Sequence, residues 1–214
     1  RFLTLQQRVD QANAIAENAI FISIHFNSGR SGARGIETFT LSPPGVSHYG
    51  RGLIAADQQR RAGNEHDSAN IALATSVHGT FLRRLKPWNT FDRGIKRARF
   101  VVIRDIKIPG VLLEGGFMNH PVDGRLIASS QFRDAFARAI LEGVSRYRSA
   151  LSGRRDYQEP SAVASATDKS SVPDLTPAVS ATGVPSSLNE AVQRAAEEIK
   201  KKAAEKPSPT PNAN

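Results

Sequence analysis

The chain has 214 residues, 39% of them hydrophobic, and carries a formal net charge of +9 with a pI near 10.3. It contains no cysteine, which excludes disulfides, thiolate nucleophiles and cysteine-ligated metal sites. The positive charge favours an anionic partner, and nucleic acid, a cell-wall polymer and a membrane surface all meet that description. No stretch approaches the ~20 apolar residues that a membrane span needs, so no transmembrane segment is predicted.

The first part of the chain predicts a helix followed by two strands. Apolar residues recur at helical spacing over residues 2–18, and Thr4 is a candidate N-cap. Residues 19–26 form a short apolar run that ends in turn residues, which is typical of a strand buried on both faces. Residues 35–41 alternate and favour β-branched side chains, and they predict a second strand.

Helices and strands continue to alternate up to residue 151. Helical spacing of the apolar residues predicts three further helices, at 47–61, 67–85 and 130–151. Short apolar runs predict two further strands, at 98–104 and 110–114. Ser68 or Asp67 is expected to cap the helix that begins at 67. This order predicts an α/β domain with a mixed, mostly parallel sheet flanked by helices.

The composition changes after residue 151. Residues 159–187 are rich in Ser, Ala, Thr, Pro and Val and contain no aromatic residue, which is typical of a disordered linker or tail. Residues 188–206 can form a charged helix, but its thin apolar stripe makes an isolated helix marginal in water. We therefore divide the chain into a globular domain, 1–151, and a low-complexity tail, 152–214, without a role in the chemistry.

Two side chains stand where chemistry is expected. His25 comes at the end of one apolar run, and Glu114 ends another and is followed by two glycines. A carboxylate that closes an apolar run is unfavourable unless it is paired, bound to a metal or exposed in a cleft. Ligands gather at the carboxyl ends of strands in α/β sheets, so the two residues are predicted to share one site. Taken singly, each is more often a structural histidine or a loop carboxylate.

The order of several segments resembles the zinc-dependent N-acetylmuramoyl-L-alanine amidases of the type-3 amidase family. These segments are LTLQQRVDQAN, FISIHFNS, ARGIETFTL and RGIKRARFVVIRDIKIPGVLLEGGFMNHP. The resemblance implies an amidase/phosphorylase-hydrolase-like fold, a zinc cofactor with His25 as a ligand, and Glu114 as the catalytic carboxylate. It also implies the reaction, in which a zinc-activated water cleaves the amide between N-acetylmuramic acid and L-alanine of the stem peptide.

The sequence departs from the family pattern in its metal ligands. Family members carry two more zinc ligands near the start of the domain, a histidine in a glycine-rich turn and a glutamate, and that region is not in this sequence. We therefore interpret residues 1–151 as the C-terminal two-thirds of the catalytic domain. We expect this polypeptide to bind zinc poorly, which puts its activity as given in doubt. Four histidines are weaker candidates for substitute ligands because none closes an apolar strand: His48, His66, His78 and His120.

The resemblance also implies partners and a location. We expect a bacterial cell-wall hydrolase that acts on peptidoglycan in the periplasm or outside the cell, with an activator protein as a possible partner. The main alternative is a non-catalytic, degenerate or truncated amidase-fold protein that binds peptidoglycan. A nucleic-acid-binding protein has only the charge in its favour, because no nucleic-acid recognition motif is present, so no nucleic-acid partner is predicted.

Overall fold

The computed structural model describes residues 2–15, 18–30 and 32–152. The predicted tail, with its charged helix at 188–206, lies outside the described residues. The strands are β1 Phe21–Asn27, β2 Ile36–Leu41, β3 Asp92–Ala98 and β4 Gly110–Phe117. The helices are α1 Leu5–Asn13, α2 Asp67–Arg84, α3 Val101–Arg104, α4 Pro121–Ala128 and α5 Ser130–Leu151.

The strands form one mixed sheet in the order β1-β4-β2-β3. β1 is parallel to β4, β2 is parallel to β3, and β2 is antiparallel to β4. The two central strands, β4 and β2, are buried along their whole length. The predicted fold class, a mixed and mostly parallel sheet with flanking helices, is therefore confirmed.

The main core lies between one face of the sheet and the helices α2 and α5. Its buried members come from both layers and include Ile36, Leu73, Val77, Phe81, Val111, Leu113, Phe132 and Phe136. The other face is covered at one end by α3, whose Val102 and Ile103 pack on Phe39 and Leu112. The short helix α1 adds a small cluster through Val9 and Ala12. The opposite end of that second face carries polar side chains.

Several predicted elements are confirmed. Capping residues mark the start of two of the helices, so that their positions could be predicted from the sequence. Thr4 caps α1 in a capping box, in which the Gln7 amide N–H donates to Thr4 Oγ1 at 3.2 Å and the Gln7 side chain accepts from the Thr4 N–H at 2.9 Å. Helix α5 has the predicted bounds, and the Ser129 side chain caps it. Strands β1 and β2 differ from the prediction by one or two residues.

The predicted helix over 47–61 is wrong. This segment is a loop that contains one 3-10 helix, Ala55–Gln58, and a second 3-10 helix, Ala62–His66, follows it. Gly45 and Gly50 adopt φ of +80° and +83°, a left-handed conformation that does not continue a right-handed helix. The buried Asp57 carboxylate, bonded by Arg51, holds the loop in place of helical hydrogen bonds.

The predicted strand over 98–104 is also wrong. The strand lies earlier, at Asp92–Ala98, and Val101–Arg104 is a single helical turn. A short apolar run does not distinguish a strand from a buried helical turn. Val102 and Ile103 belong to a buried helical turn. Strand β3 is an edge strand with mostly polar residues, so its sequence lacks the apolar run that marks a buried strand.

Two smaller differences concern helix ends. The residue that caps α2 is His66, without a side-chain hydrogen bond, whereas Asp67 forms an ion pair with Arg97 of β3. Helix α4 was not predicted; it begins at Pro121 directly after its cap residue, His120. Within the described ranges, no helix is both long and apolar enough to cross a membrane.

Candidate active site

Three ionisable side chains lie side by side on adjacent strands of the sheet. In the pairing of β1 with β4, His25 is opposite Glu114, and in the pairing of β4 with β2, Glu114 is opposite Glu37. Opposite residues of neighbouring strands project from the same face of a sheet. This face is the one that carries Phe39 and Leu112 at its other end. The structure therefore brings His25 and Glu114 together, and it adds a second carboxylate.

The sequence suggested that Glu114 is the last residue of its strand, and the structure shows that it is not. β4 continues through Gly115 and Gly116 to Phe117. A side chain at Gly115 would begin 2.7 Å from the Phe26 ring, so the glycine allows that ring to pack directly on the strand. Glu114 consequently projects from the middle of a buried strand and not from a loop.

The Glu114 carboxyl is buried, with 8% of the residue exposed. Its Oε2 atom has no hydrogen-bond partner among the residues that the structure describes. Burial, and secondarily the neighbouring Glu37 carboxylate, raise the pKa of Glu114 to about 8. An orphaned carboxyl oxygen with a pKa near neutral is a group poised to exchange a proton with a ligand.

His25 is half-buried beside Glu114. Burial lowers its pKa, and the Arg8 guanidinium of α1 lowers it further. Both effects favour the neutral imidazole, which is the form that can bind a metal ion through a nitrogen lone pair. The side chain is thus in the protonation state required of a metal ligand.

Glu37 differs from Glu114 in its surroundings. It is only 2% exposed, yet its carboxylate accepts from Arg93 Nε at 2.7 Å and from Asn27 Nδ2 at 3.1 Å. Lys96 Nζ also contacts the same carboxylate. Its charge is compensated by Arg93 and Lys96 of β3, so the two facing carboxyl groups have unequal environments.

Sequence reasoning missed Glu37, Arg93 and Lys96. The alternation of residues 35–41 carried a usable signal, because it places Glu37 on the same face as Phe39 and Leu41. A buried carboxylate on an apolar face requires a partner. Its partners stand on β3, the strand that was predicted at the wrong place, so the pairing could not be inferred.

A buried aspartate fixes the frame around this row of side chains. Asp123 of α4 accepts from the Gly35 N–H at 2.7 Å and from the Phe117 N–H at 3.1 Å, both through Oδ2. These bonds join the start of β2 to the end of β4. Gly116 supports the same junction, because its φ of +135° is rarely available to a residue with a side chain. The Asp123 carboxylate, by binding backbone N–H groups of both strands, therefore helps to hold Glu37 and Glu114 in place relative to each other.

The other four histidines have structural partners away from this row. Their partners are the Arg99 N–H for His48, the Lys107 carbonyl for His66, Thr38 with Asp92 for His78, and the first turn of α4 for His120. These contacts engage the side chains of the four weaker candidates for substitute ligands.

The residues present fit a zinc ion only in part. A catalytic zinc generally has three protein ligands. Within residues 2–15, 18–30 and 32–152, no group of three or more His, Cys, Asp or Glu side chains is placed to hold a metal ion. His25 and Glu114, opposite each other on neighbouring strands, are two residues of the kinds that bind zinc.

Comparison with known proteins gives the family to which this chain belongs. The chain matches the Amidase_3 family, N-acetylmuramoyl-L-alanine amidase, over residues 1–146, and it belongs to this family. It is similar to the N-acetylmuramoyl-L-alanine amidase LytC of Bacillus subtilis, with 33% identity over 149 residues. It is also similar to the uncharacterized protein YqiI of the same bacterium, with 32% identity over 146 residues.

These matches cover unequal shares of the two chains. They include 69% of this chain and 25% of LytC, and 68% of this chain and 59% of YqiI. The structure of the amidase AmiC2 of Nostoc punctiforme matches with a TM-score of 0.54 and 27% identity, over 69% of this chain and 67% of that chain. The family resemblance seen in the sequence is thereby confirmed.

Proposed function

We propose that this protein is a peptidoglycan hydrolase that cleaves the amide bond between N-acetylmuramic acid and L-alanine of the stem peptide. The observation that carries the proposal is the buried Glu114 carboxyl, with an unpartnered oxygen, opposite His25 on the neighbouring strand. Membership of the amidase family supports it independently. Amide hydrolysis requires a group that accepts and then returns a proton, and Glu114 meets that requirement.

Glu114 serves as the proton carrier of the reaction. In its ionised form it takes a proton from the water that attacks the lactyl carbonyl carbon, and a C–O bond forms. It then gives this proton to the alanine nitrogen as the C–N bond breaks, which releases a carboxylic acid and a free amine. A pKa near neutral suits both transfers, because neither form of the carboxyl is strongly favoured.

We further propose zinc as the cofactor, with His25 as one of its ligands. A bound zinc ion polarises a carbonyl group and acidifies bound water. The neutral state favoured for the His25 imidazole supports the assignment. The remaining ligands are not found among the described residues, so the complete metal site stays a prediction.

The expected partner and location follow from the substrate. Peptidoglycan lies in the cell envelope, and we place the activity in the periplasm or outside the cell. The net charge of +9 suits an anionic wall polymer as the surface on which the protein works. An activator protein and the absence of a nucleic-acid partner remain predictions.

The Glu114→Gln substitution tests the mechanism. Because this polypeptide is expected to bind zinc poorly, the assay supplies zinc in excess, and we expect the protein then to release stem peptides with free alanine amino groups from purified sacculi. The substitution should reduce the rate by about 100-fold or more, because glutamine cannot carry the proton. EDTA should also stop the release. Appearance of new amino groups measures the rate.

Glu65→Gln is the matched control, because Glu65 is an exposed carboxylate paired only with Arg60. It should leave the rate unchanged. Release that persists in both Glu114→Gln and EDTA would contradict the mechanism. Binding to sacculi without any release would instead support the alternative, a non-catalytic peptidoglycan-binding protein.

A further inference from the structure

We propose that Arg93 is a carboxylate-binding residue of the same site and recognises an acidic group of the stem peptide close to the scissile amide. This inference rests on the proposed function and deepens it by naming a feature of the substrate. It follows from how Arg93 is held, from the donors it has left and from the local charge.

Arg93 is held on two sides. Its Nε donates to Glu37 at 2.7 Å, and its guanidinium lies over the Phe117 ring, 5.0 Å from the centroid. Glu37 faces Glu114 across the strands, and Phe117 follows Glu114 by three residues on β4. Arg93 is therefore one side chain away from the carboxyl that carries the proton. A guanidinium fixed by an ion pair and an aromatic ring loses little further freedom on binding a ligand.

Most hydrogen-bond donors of Arg93 have no partner among the residues that the structure describes. A guanidinium has five N–H groups, and Glu37 uses the one on Nε. The Tyr49 hydroxyl lies close enough to take another, although Lys96 Nζ already contacts that hydroxyl at 3.0 Å. The Arg93 side chain is 24% exposed, so its outer edge is open to solvent.

Lys96 is a poorer candidate than Arg93. Its ammonium group contacts Glu37 and the Tyr49 hydroxyl, and it lies 4.2 Å from the centroid of the Tyr49 ring. Its side chain is less exposed. The two cations share one carboxylate, Glu37, so that their positive charge is only partly compensated. Arg93 is the member that can present this charge to an anion.

A carboxylate is the ligand that this geometry fits. A guanidinium binds a carboxylate through two parallel hydrogen bonds, which also orient the ligand. In a stem peptide the residue after L-alanine is a glutamate, which has two carboxyl groups. Each of them can be free, amidated or linked to the next residue. Either carboxyl could reach Arg93, so the experiment has to distinguish them.

The test compares four ligands: N-acetylmuramoyl-L-alanyl-D-glutamate, its two monoamides and its diamide. Binding is measured by calorimetry at neutral pH with EDTA present, so that no ligand is hydrolysed. We expect the dicarboxylate and one monoamide to bind about 10- to 100-fold more tightly than the diamide, the range of a charge-assisted hydrogen bond. The monoamide that keeps the tight binding identifies the carboxyl that Arg93 contacts.

Arg93→Gln should remove this preference, so that all four ligands bind as weakly as the diamide does. Arg93→Lys should keep part of it, because lysine retains the charge but not the paired donors. Unchanged binding of the diamide shows that the variant is folded. Arg138→Gln changes the net charge equally on an exposed part of α5 and should keep the full preference.

Equal affinity of the protein for all four ligands, or no binding of the dicarboxylate, would overturn the inference. The same holds if Arg93→Gln retains the preference. This result is independent of turnover. A carboxylate preference without Glu114-dependent peptide release would leave the Arg93 site standing and remove the amidase proposal.

Discussion

Glu37 and Glu114 are the same residue type, face each other on adjacent strands and are both buried, yet they have different chemistry. Glu37 receives donors from Arg93, Lys96 and Asn27, whereas one oxygen of Glu114 receives none from the described residues. Neighbouring carboxyl groups in unequal surroundings divide the roles of fixed charge and proton carrier between them. At this site the unpaired carboxyl is the one that can exchange a proton.

Another buried carboxylate, Asp57, lies in the loop that follows β2 and is held by two arginines. Both of its oxygens accept from Arg51, at 2.6 and 2.7 Å, and Arg99 Nε lies 3.0 Å from Oδ1. The Arg51 hydrogen bonds hold the pKa of Asp57 well below its usual range. The loop over 43–61 is thereby anchored by charge instead of by an apolar core.

The depressed pKa of Asp57 predicts a pH-dependent contribution to stability. A carboxyl with a lowered folded-state pKa stabilises the protein above its ordinary pKa, and this contribution is lost as the pH falls towards the folded-state value. Asp57→Asn should therefore lower the melting temperature at pH 7. The difference from wild type should shrink below about pH 4, where the unfolded carboxyl takes up a proton.

Thermal unfolding followed by circular dichroism at pH 7 and pH 3 measures the effect. Glu65→Gln, which breaks an exposed ion pair, should change the melting temperature little at either pH. A difference between wild type and Asp57→Asn that is the same at both values would show that packing, not charge, accounts for the role of Asp57.

Helices α2 and α5 approach each other closely. A side chain added at Gly143 of α5 would begin 2.6 Å from the Val77 Cα of α2, so the glycine lets the two backbones touch. Gly143→Ala should push the helices apart and lower the free energy of unfolding by about 1–3 kcal/mol, as overpacking generally does. Urea denaturation measures this change.

Gly79 provides a matched comparison on α2. No atom lies within 4 Å of a side chain added there, so Gly79→Ala should stabilise the helix by about 0.5–1 kcal/mol. If both substitutions stabilise the protein, helix propensity outweighs the helix contact. Opposite signs would support the close approach.

The success of the sequence-based predictions differs among elements for physical reasons. Helix α5 carries a continuous apolar stripe and the cap Ser129, and its bounds were predicted correctly. Strand β3 is an edge strand with charged residues at most positions, and such a strand has little apolar signal. The short helix α3 is a single turn of four residues. A segment of this length shows no helical periodicity, so its apolar residues predict a strand instead.

At the scale of the whole molecule, the sheet topology assembles the site. Strand β4 lies between β1 and β2. Its Glu114 is therefore opposite His25 of the parallel strand β1 and opposite Glu37 of the antiparallel strand β2. The cations of β3 reach the same row because β3 pairs with β2. Side chains from four strands therefore contribute to one face of the sheet.

The incomplete set of metal ligands leads to a prediction for the chain. Zinc should bind with a dissociation constant above about 1 μM, weaker than complete protein zinc sites. His25→Ala should weaken binding further, whereas His66→Ala should not, because His66 is engaged with the Lys107 carbonyl. Competition with a chromophoric chelator measures the affinity. Nanomolar binding that does not depend on His25 would contradict the assignment of His25 as a ligand.

The sequence by itself determined the α/β class, because apolar runs and turn residues are local signals, and it determined the family through the order of its segments. It also predicted that His25 and Glu114 share one site, and the structure places them opposite each other. Only the tertiary structure decided that Glu37 opposes Glu114, that Arg93 and Lys96 accompany it, and that Asp123 ties the strand ends together. These contacts join residues far apart in the chain. Strand order and register create them, and both depend on packing of the whole domain.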